Sequence, residues 1–220
     1  MKDANQIPKL CVFDFDGTLV DTMGGFADIA ADVLENQYGI TFDQGRRQYL
    51  QTSGIPFFQQ LEIIKPGGPK NDACAEEFES RKMDGFFEAA PSEATVRGLG
   101  ILHDAGIKLA VSSNNFQHNV DVFLERHPLP VDLVLGFDDR GLEKGRPHFL
   151  KIQEQLGIGF EEMLYCGDSI KDGERAASCE VRFVGMTGTF TKDQFQERFP
   201  GVFTVASILE LAEWLTNDIT

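Results

Sequence analysis

The sequence has no apolar run longer than a few residues anywhere in its 220 positions, which excludes a helix long enough to span a bilayer. Its N-terminal stretch, Met1 to Pro8, is polar and lacks the apolar h-region of a secretory signal. Cysteine is sparse. Cys11, Cys74, Cys166 and Cys179 form no C-x-x-C pair, and a disulfide framework is not expected in a chain of this length without a secretion signal. Cys11 and Cys166 sit in apolar runs and read as buried small hydrophobes. A Lys/Arg cluster is missing as well. Twenty basic residues stand against 35 acidic ones, for a net charge of -15 and a pI near 4.6, so the footprint of a nucleic-acid binder is absent. His103, His118, His127 and His148 show no ligand spacing and read as structural or surface residues. No internal repeat or low-complexity segment is evident. These absences predict a soluble cytoplasmic protein with neither nucleic acid nor membrane as a partner.

The hydrophobic fraction, 42%, is ordinary for a globular chain. Short apolar runs alternate with helical patterns, the signature of a parallel sheet wound with helices. Leu10 to Phe13 predicts a buried strand ending at Asp14. Ile107 to Val111 predicts a second, ending at Ser112-Ser113, and Val131 to Leu135 a third. Met163 to Cys166 predicts a fourth, ending at Gly167-Asp168. Val181 to Val184 and Val202 to Val205 follow. Between them lie helical stripes: Val96, Leu99 and Leu102 after a Ser92 cap; Phe116, Val120, Phe123 and Leu124; Phe149, Ile152 and Leu156; and Ile208, Leu211, Ala212 and Leu215. From about Thr22 to Ala90 only helical patterns appear, over Phe26 to Val33, Tyr49 to Ile64 and Ala73 to Phe87. The predicted fold is α/β, a Rossmann-like doubly wound parallel sheet formed by residues 1–21 and 91–220, with residues 22–90 inserted as an all-α cap. Such sheets bind ligands at the carboxyl ends of their strands.

The chemically interesting residues fall at those ends. Asp14-Phe15-Asp16-Gly17-Thr18 follows the first strand, and alternation in an extended segment turns both carboxylates one way. Two carboxylates on one face repel, and a cation or a shared proton must relieve them. Ser113-Asn114, Lys144 and the group Gly167-Asp168-Ser169 with Asp172 follow later strands. An all-oxygen donor set beside a phosphate favours Mg²⁺.

The set DFDGTLVDT, a strand ending in Ser-Ser-Asn, Lys144 and GDSIKD resembles the haloacid dehalogenase superfamily of phosphatases, most nearly its phosphoglycolate phosphatase and β-phosphoglucomutase branch with a helical cap. The resemblance implies Asp14 as nucleophile, forming an aspartyl-phosphate, and Asp16 as general acid and then base. It implies Mg²⁺ held by Asp14, the Asp16 backbone carbonyl and Asp168, with Asp172 acting directly or through a water. Ser113, Asn114, Lys144, Gly17 and Thr18 would surround the phosphoryl group. Ser112 is an alternative to Ser113. Arg146 is an alternative to Lys144, because the stretch after the lysine runs one residue short of the usual spacing. Dehalogenases of this superfamily lack the second aspartate, so Asp16 favours phosphoryl transfer. Within the cap, Thr52, Ser53 and Gly54 resemble a turn that relatives point at substrate. The reaction expected is Mg²⁺-dependent hydrolysis of a small phosphorylated metabolite. A phosphosugar mutase and a non-catalytic phosphoester-binding protein are the alternatives.

Overall fold

A computed structural model describes residues 7–138 and 142–217. The chain divides into two compact units, Met1–Val20 with Pro91–Thr220, and Asp21–Ala90. It opens with β1 (Leu10–Phe13), whose four side chains are all buried. The second unit then follows, built from α1 (Met23–Tyr38), α2 (Phe42–Gln51), α3 (Phe57–Ile64) and α4 (Asn71–Glu88). Its core is aromatic: the Phe57 and Phe78 rings lie 4.3 Å apart, and Tyr49 and Phe26 pack on Phe78 at 5.6 and 6.4 Å. The helical pattern over Tyr49 to Ile64 is divided between α2 and α3, at the turn expected around Thr52, Ser53 and Gly54. Pro56 stands at the start of α3 and disfavours helical backbone at the residue before it.

The first unit resumes with α5 (Glu93–Asp104), capped by the Ser92 hydroxyl accepting from the Thr95 N–H at 3.1 Å. The series β2 (Lys108–Phe116), α6 (Gln117–Arg126), β3 (Leu133–Phe137), α7 (Arg146–Leu156), β4 (Met163–Gly167) and α8 (Ile170–Ser178) comes next. Then β5 (Arg182–Met186), α9 (Lys192–Arg198), β6 (Phe203–Val205) and α10 (Ile208–Thr216) complete it. The six strands form one parallel sheet in the order β3-β2-β1-β4-β5-β6, a Rossmann-like α/β arrangement. β1 lies between β2 and β4, and this central place explains its continuous apolar run. Leu10, Val12, Met163, Tyr165, Phe149 and Ile152 belong to one core cluster. Against α10, α5 presents Gly98, where an added Cβ would stand 2.5 Å from the Ile208 carbonyl carbon.

Two stripe residues are corrected. Val96 is exposed on α5. Phe116 ends β2 instead of facing the core from α6, and it is half exposed, edge-on to Phe137 at 5.5 Å. The cause is that β2 runs beyond Ser113 to Phe116, so α6 starts one residue after it. Among the described residues, no helix is long and apolar enough to cross a membrane.

Candidate active site

The site is built at the carboxyl ends of β1, β2 and β4. Asp14 directly follows β1, and its backbone N–H donates to the Cys166 carbonyl at 2.9 Å, carrying the ladder one residue further. The chain then turns sharply: Leu19 and Val20 N–H donate to the Phe15 carbonyl, and Gly17 N–H donates to Val20. Gly17 makes the turn with φ 77°, a left-handed conformation that costs a glycine little. The Thr18 hydroxyl inside it is buried with no hydrogen-bond partner among the described residues.

Lys144 lies just before α7. Its ammonium donates to Asp14 Oδ1 at 2.6 Å and sits 2.7 Å from Asp172 Oδ1, with the lysine side chain only 2% exposed. Arg146 begins α7 and is exposed. Asp168 follows β4 and accepts a short hydrogen bond from the Thr189 hydroxyl. Asp172 closes a capping box at the start of α8. Its Oδ2 accepts from the Ser169 hydroxyl at 2.6 Å and the Ser169 N–H at 3.2 Å, and Ser169 Oγ accepts from the Asp172 N–H. Its Oδ1 accepts from the Tyr165 hydroxyl at 2.9 Å, with an Arg175 guanidinium nitrogen 3.5 Å away. Ligand oxygens of Asp14, Asp168 and Asp172 all lie within 4.8 Å of one another.

On β2, Ser112 and Ser113 are both fully buried but engage different partners. Ser112 Oγ is 2.8 Å from His148 Nδ1, and His148 Nε2 is 3.2 Å from the Gly136 carbonyl. Burial pushes His148 down to about 4, so it is a neutral strut. Ser113 Oγ instead accepts the Asn115 backbone N–H at 3.0 Å, which leaves its own proton to donate. Asn114 is half-buried. Asn115 donates its side-chain N–H to Asp16 Oδ2 at 2.5 Å.

Electrostatics distinguish the three buried carboxylates. Burial pushes Asp14 up to about 6 despite the Lys144 ammonium, with Asp172 and Asp16 adding to the rise. Burial, then Asp14 and Asp172, drive Asp168 well above the carboxylate range. Burial also opposes ionisation of Asp172, but Lys144 and Arg175 overcome it and hold Asp172 below its ordinary value. Lys144 is raised even though burial works against its charge, because Asp14 and Asp172 favour the ammonium. Three buried carboxylates thus share one fully buried lysine. The remaining negative charge and the all-oxygen donor set fit a hard divalent cation.

Asp14, Lys144, Asp168 and Asp172 therefore come together, and Asp16 and Ser113 are joined through Asn115. Thr52, Ser53 and Gly54 belong to the helical unit. There the Thr52 hydroxyl lies 2.8 Å from Gln60 Oε1, and the buried Ser53 hydroxyl has no hydrogen-bond partner among the described residues. Sequence reasoning missed Asn115, Thr189, Tyr165 and Arg175. A signal existed for Asn115: in a strand running through Phe116, residues 113 and 115 share a face. Thr189 follows β5 in an irregular segment with no periodicity to mark it.

A family model described as haloacid dehalogenase-like hydrolase matches residues 11–186. The chain is 28% identical over 203 residues to "Probable phosphatase IndB" of Dickeya dadantii, covering 88% of this chain and 87% of that protein. It is 28% identical over 204 residues to the phosphoglycolate phosphatase of Escherichia coli K12, covering 80% and 79%. Among solved structures, a haloacid dehalogenase-like hydrolase from Bacteroides fragilis superposes with a TM-score of 0.74 at 26% identity, over 93% of this chain and 99% of that one. A haloacid dehalogenase-like family protein from Streptococcus pneumoniae, 15% identical, shares the fold with a TM-score of 0.75 over 94% and 98%.

Proposed function

Because the chain belongs to the haloacid dehalogenase-like hydrolase family, as a phosphohydrolase, we propose that it hydrolyses a small phosphate monoester in two steps through an aspartyl-phosphate on Asp14. The observation that carries this reading is the Lys144 ammonium buried between Asp14 and Asp172, with Asp168 alongside. A buried, cation-paired carboxylate at a strand end is equipped to attack an anionic phosphorus, since the lysine offsets the like-charge repulsion.

In the first step an Asp14 carboxylate oxygen bonds to phosphorus, the bond to the ester oxygen breaks, and Asp16 gives that oxygen a proton. In the second, Asp16 takes a proton from water as the water oxygen bonds to phosphorus. The acyl-phosphate P–O bond then breaks, which frees inorganic phosphate and restores Asp14. Ser113 and Lys144 hold the phosphoryl oxygens, with Gly17, Thr18 and Asn114 around them. Asp14, Asp168 and the Asp16 carbonyl, with Asp172 directly or through a water, would hold Mg²⁺, which neutralises phosphoryl charge when bound. Substrate choice we assign to residues 22–90 acting as a cap, with Thr52, Ser53 and Gly54 as its contact turn. The names of the curated relatives make 2-phosphoglycolate the first ester to test.

The test is phosphate release from a panel of monoesters including 2-phosphoglycolate, with Mg²⁺ or with EDTA, for wild type and Asp14→Asn. Mg²⁺-dependent release that disappears in the variant is expected. Equal release by the variant removes Asp14 from the mechanism.

A further inference from the structure

Asn115 has no part in the steps above, yet it joins two groups that do. It is 4% exposed. Its side-chain amide donates to Asp16 Oδ2 at 2.5 Å, and its backbone N–H donates to Ser113 Oγ at 3.0 Å. The contact spans 99 residues of sequence between the β1 turn and the end of β2. Resting on the reading of Asp16 as acid and base, we infer that Asn115 is a positioning residue that sets the orientation of the Asp16 carboxyl for proton transfer to the leaving oxygen.

The chemistry follows from what an amide N–H can do. It only donates, so the oxygen it engages must be an acceptor in both protonation states of Asp16. In the acid form that assigns the carbonyl role to Oδ2 and the transferable proton to Oδ1. A carboxyl attached through single bonds can otherwise rotate and present either oxygen. The amide of a buried strand residue removes that freedom, and proton transfer is sensitive to such placement. The same residue directs the Ser113 hydroxyl through its backbone, so the proton donor and the phosphoryl contact keep one relative position.

A positioning role predicts a dependence on the leaving group that a fold defect does not produce. An alkyl alcohol needs its proton as it departs, whereas 4-nitrophenolate departs without one. The experiment measures leaving-group release in single turnover at saturating Mg²⁺, using an alkyl phosphate and 4-nitrophenyl phosphate. For Asn115→Leu we expect a slowing of about tenfold or more on the alkyl ester, a fraction of the usual worth of general acid catalysis, and little change on the aryl ester. Asn115→Ser, which keeps the backbone bond to Ser113 and shortens the side chain, should show the same contrast and covers the case in which the leucine variant does not fold. Asp16→Asn must show the contrast more strongly. In that background Asn115→Leu should add nothing to it, since interacting residues are not additive. Equal slowing of both esters by both Asn115 variants, or no slowing, overturns the inference while leaving Asp16 as the acid. A full additional effect in the Asp16→Asn background also overturns it. Absence of any contrast in Asp16→Asn itself overturns the acid reading of Asp16, and the inference with it.

Discussion

Replacing Lys144 with methionine keeps the length of a buried side chain and removes one charge from the centre of the site. The ammonium contacts Asp14 Oδ1 at 2.6 Å and Asp172 Oδ1 at 2.7 Å, and those carboxylates are 8% and 0% exposed. Removing one partner of such a buried pair costs ~3–5 kcal/mol, a large share of the ~5–15 kcal/mol that holds a typical domain folded. The loss must depend on pH. In the wild type, burial already lifts Asp14 from 3.8 to about 6. Between those values the folded protein keeps a proton that the unfolded chain releases, so this group's contribution to stability declines as pH rises, then levels off above 6. Without Lys144 the folded value climbs further, and the decline continues above 6 at ~1.4 kcal/mol per unit. The variant should therefore fall behind the wild type most at about pH 8 and by ~2–3 kcal/mol less at about pH 5.5, where Asp14 holds its proton. Urea unfolding in EDTA, followed by the single tryptophan, Trp214, which stacks on Phe203 at 4.3 Å, measures the gap at both pH values. A gap of the same size at both, or none at pH 8, refutes the electrostatic account of this lysine.

Thr189→Val should weaken the apparent Mg²⁺ affinity by about 10–100-fold, as loss of a partner orienting a ligand does, because it removes the hydroxyl bonded to Asp168; Mg²⁺ titration calorimetry checks it directly. Gly98→Ala should destabilise the first unit by ~1–3 kcal/mol through overpacking, despite alanine's better helix propensity, since the methyl would meet the Ile208 backbone; a raised or unchanged melting temperature would contradict the packing described for α5 and α10.

The strands were legible because burial on both faces of a parallel sheet writes itself as continuous apolar runs. β1 reads Leu-Cys-Val-Phe and is entirely buried. Asp14 and Asp168 were legible because they directly follow β1 and β4, where a side chain meets the ligand side of the sheet. Lys144, just before α7, and Asp172, in the first turn of α8, were legible through the motifs they belong to. The end of β2 was not. Ser113-Asn114-Asn115 carries no apolar alternation, so the strand's last residues and the Asn115 contact stayed hidden, and Phe116 was misassigned to a helix stripe. The break between α2 and α3 was legible, because the Thr52-Ser53-Gly54 turn and Pro56 interrupt the helical pattern there. Whether Ser112 or Ser113 faces the site was undecidable from sequence, since the two are adjacent and both apolar faces of β2 are covered. The partner of Ser112, His148, lies 36 residues away.

Asp172 has both oxygens committed, one to the cap of α8 and the other to Tyr165 and Lys144. The end of a helix and one of the two carboxylate contacts of Lys144 thus meet in one side chain. A survey of variants scored by lost turnover would place Asp172 and Asp14 side by side, yet the two losses differ in kind. An enzyme without the Asp14 carboxylate keeps its helix cap and can still be occupied by an ester. One without the Asp172 carboxylate loses half of the α8 capping box and leaves Lys144 on Asp14 alone, so its defect is expected to grow with temperature and recede on cooling.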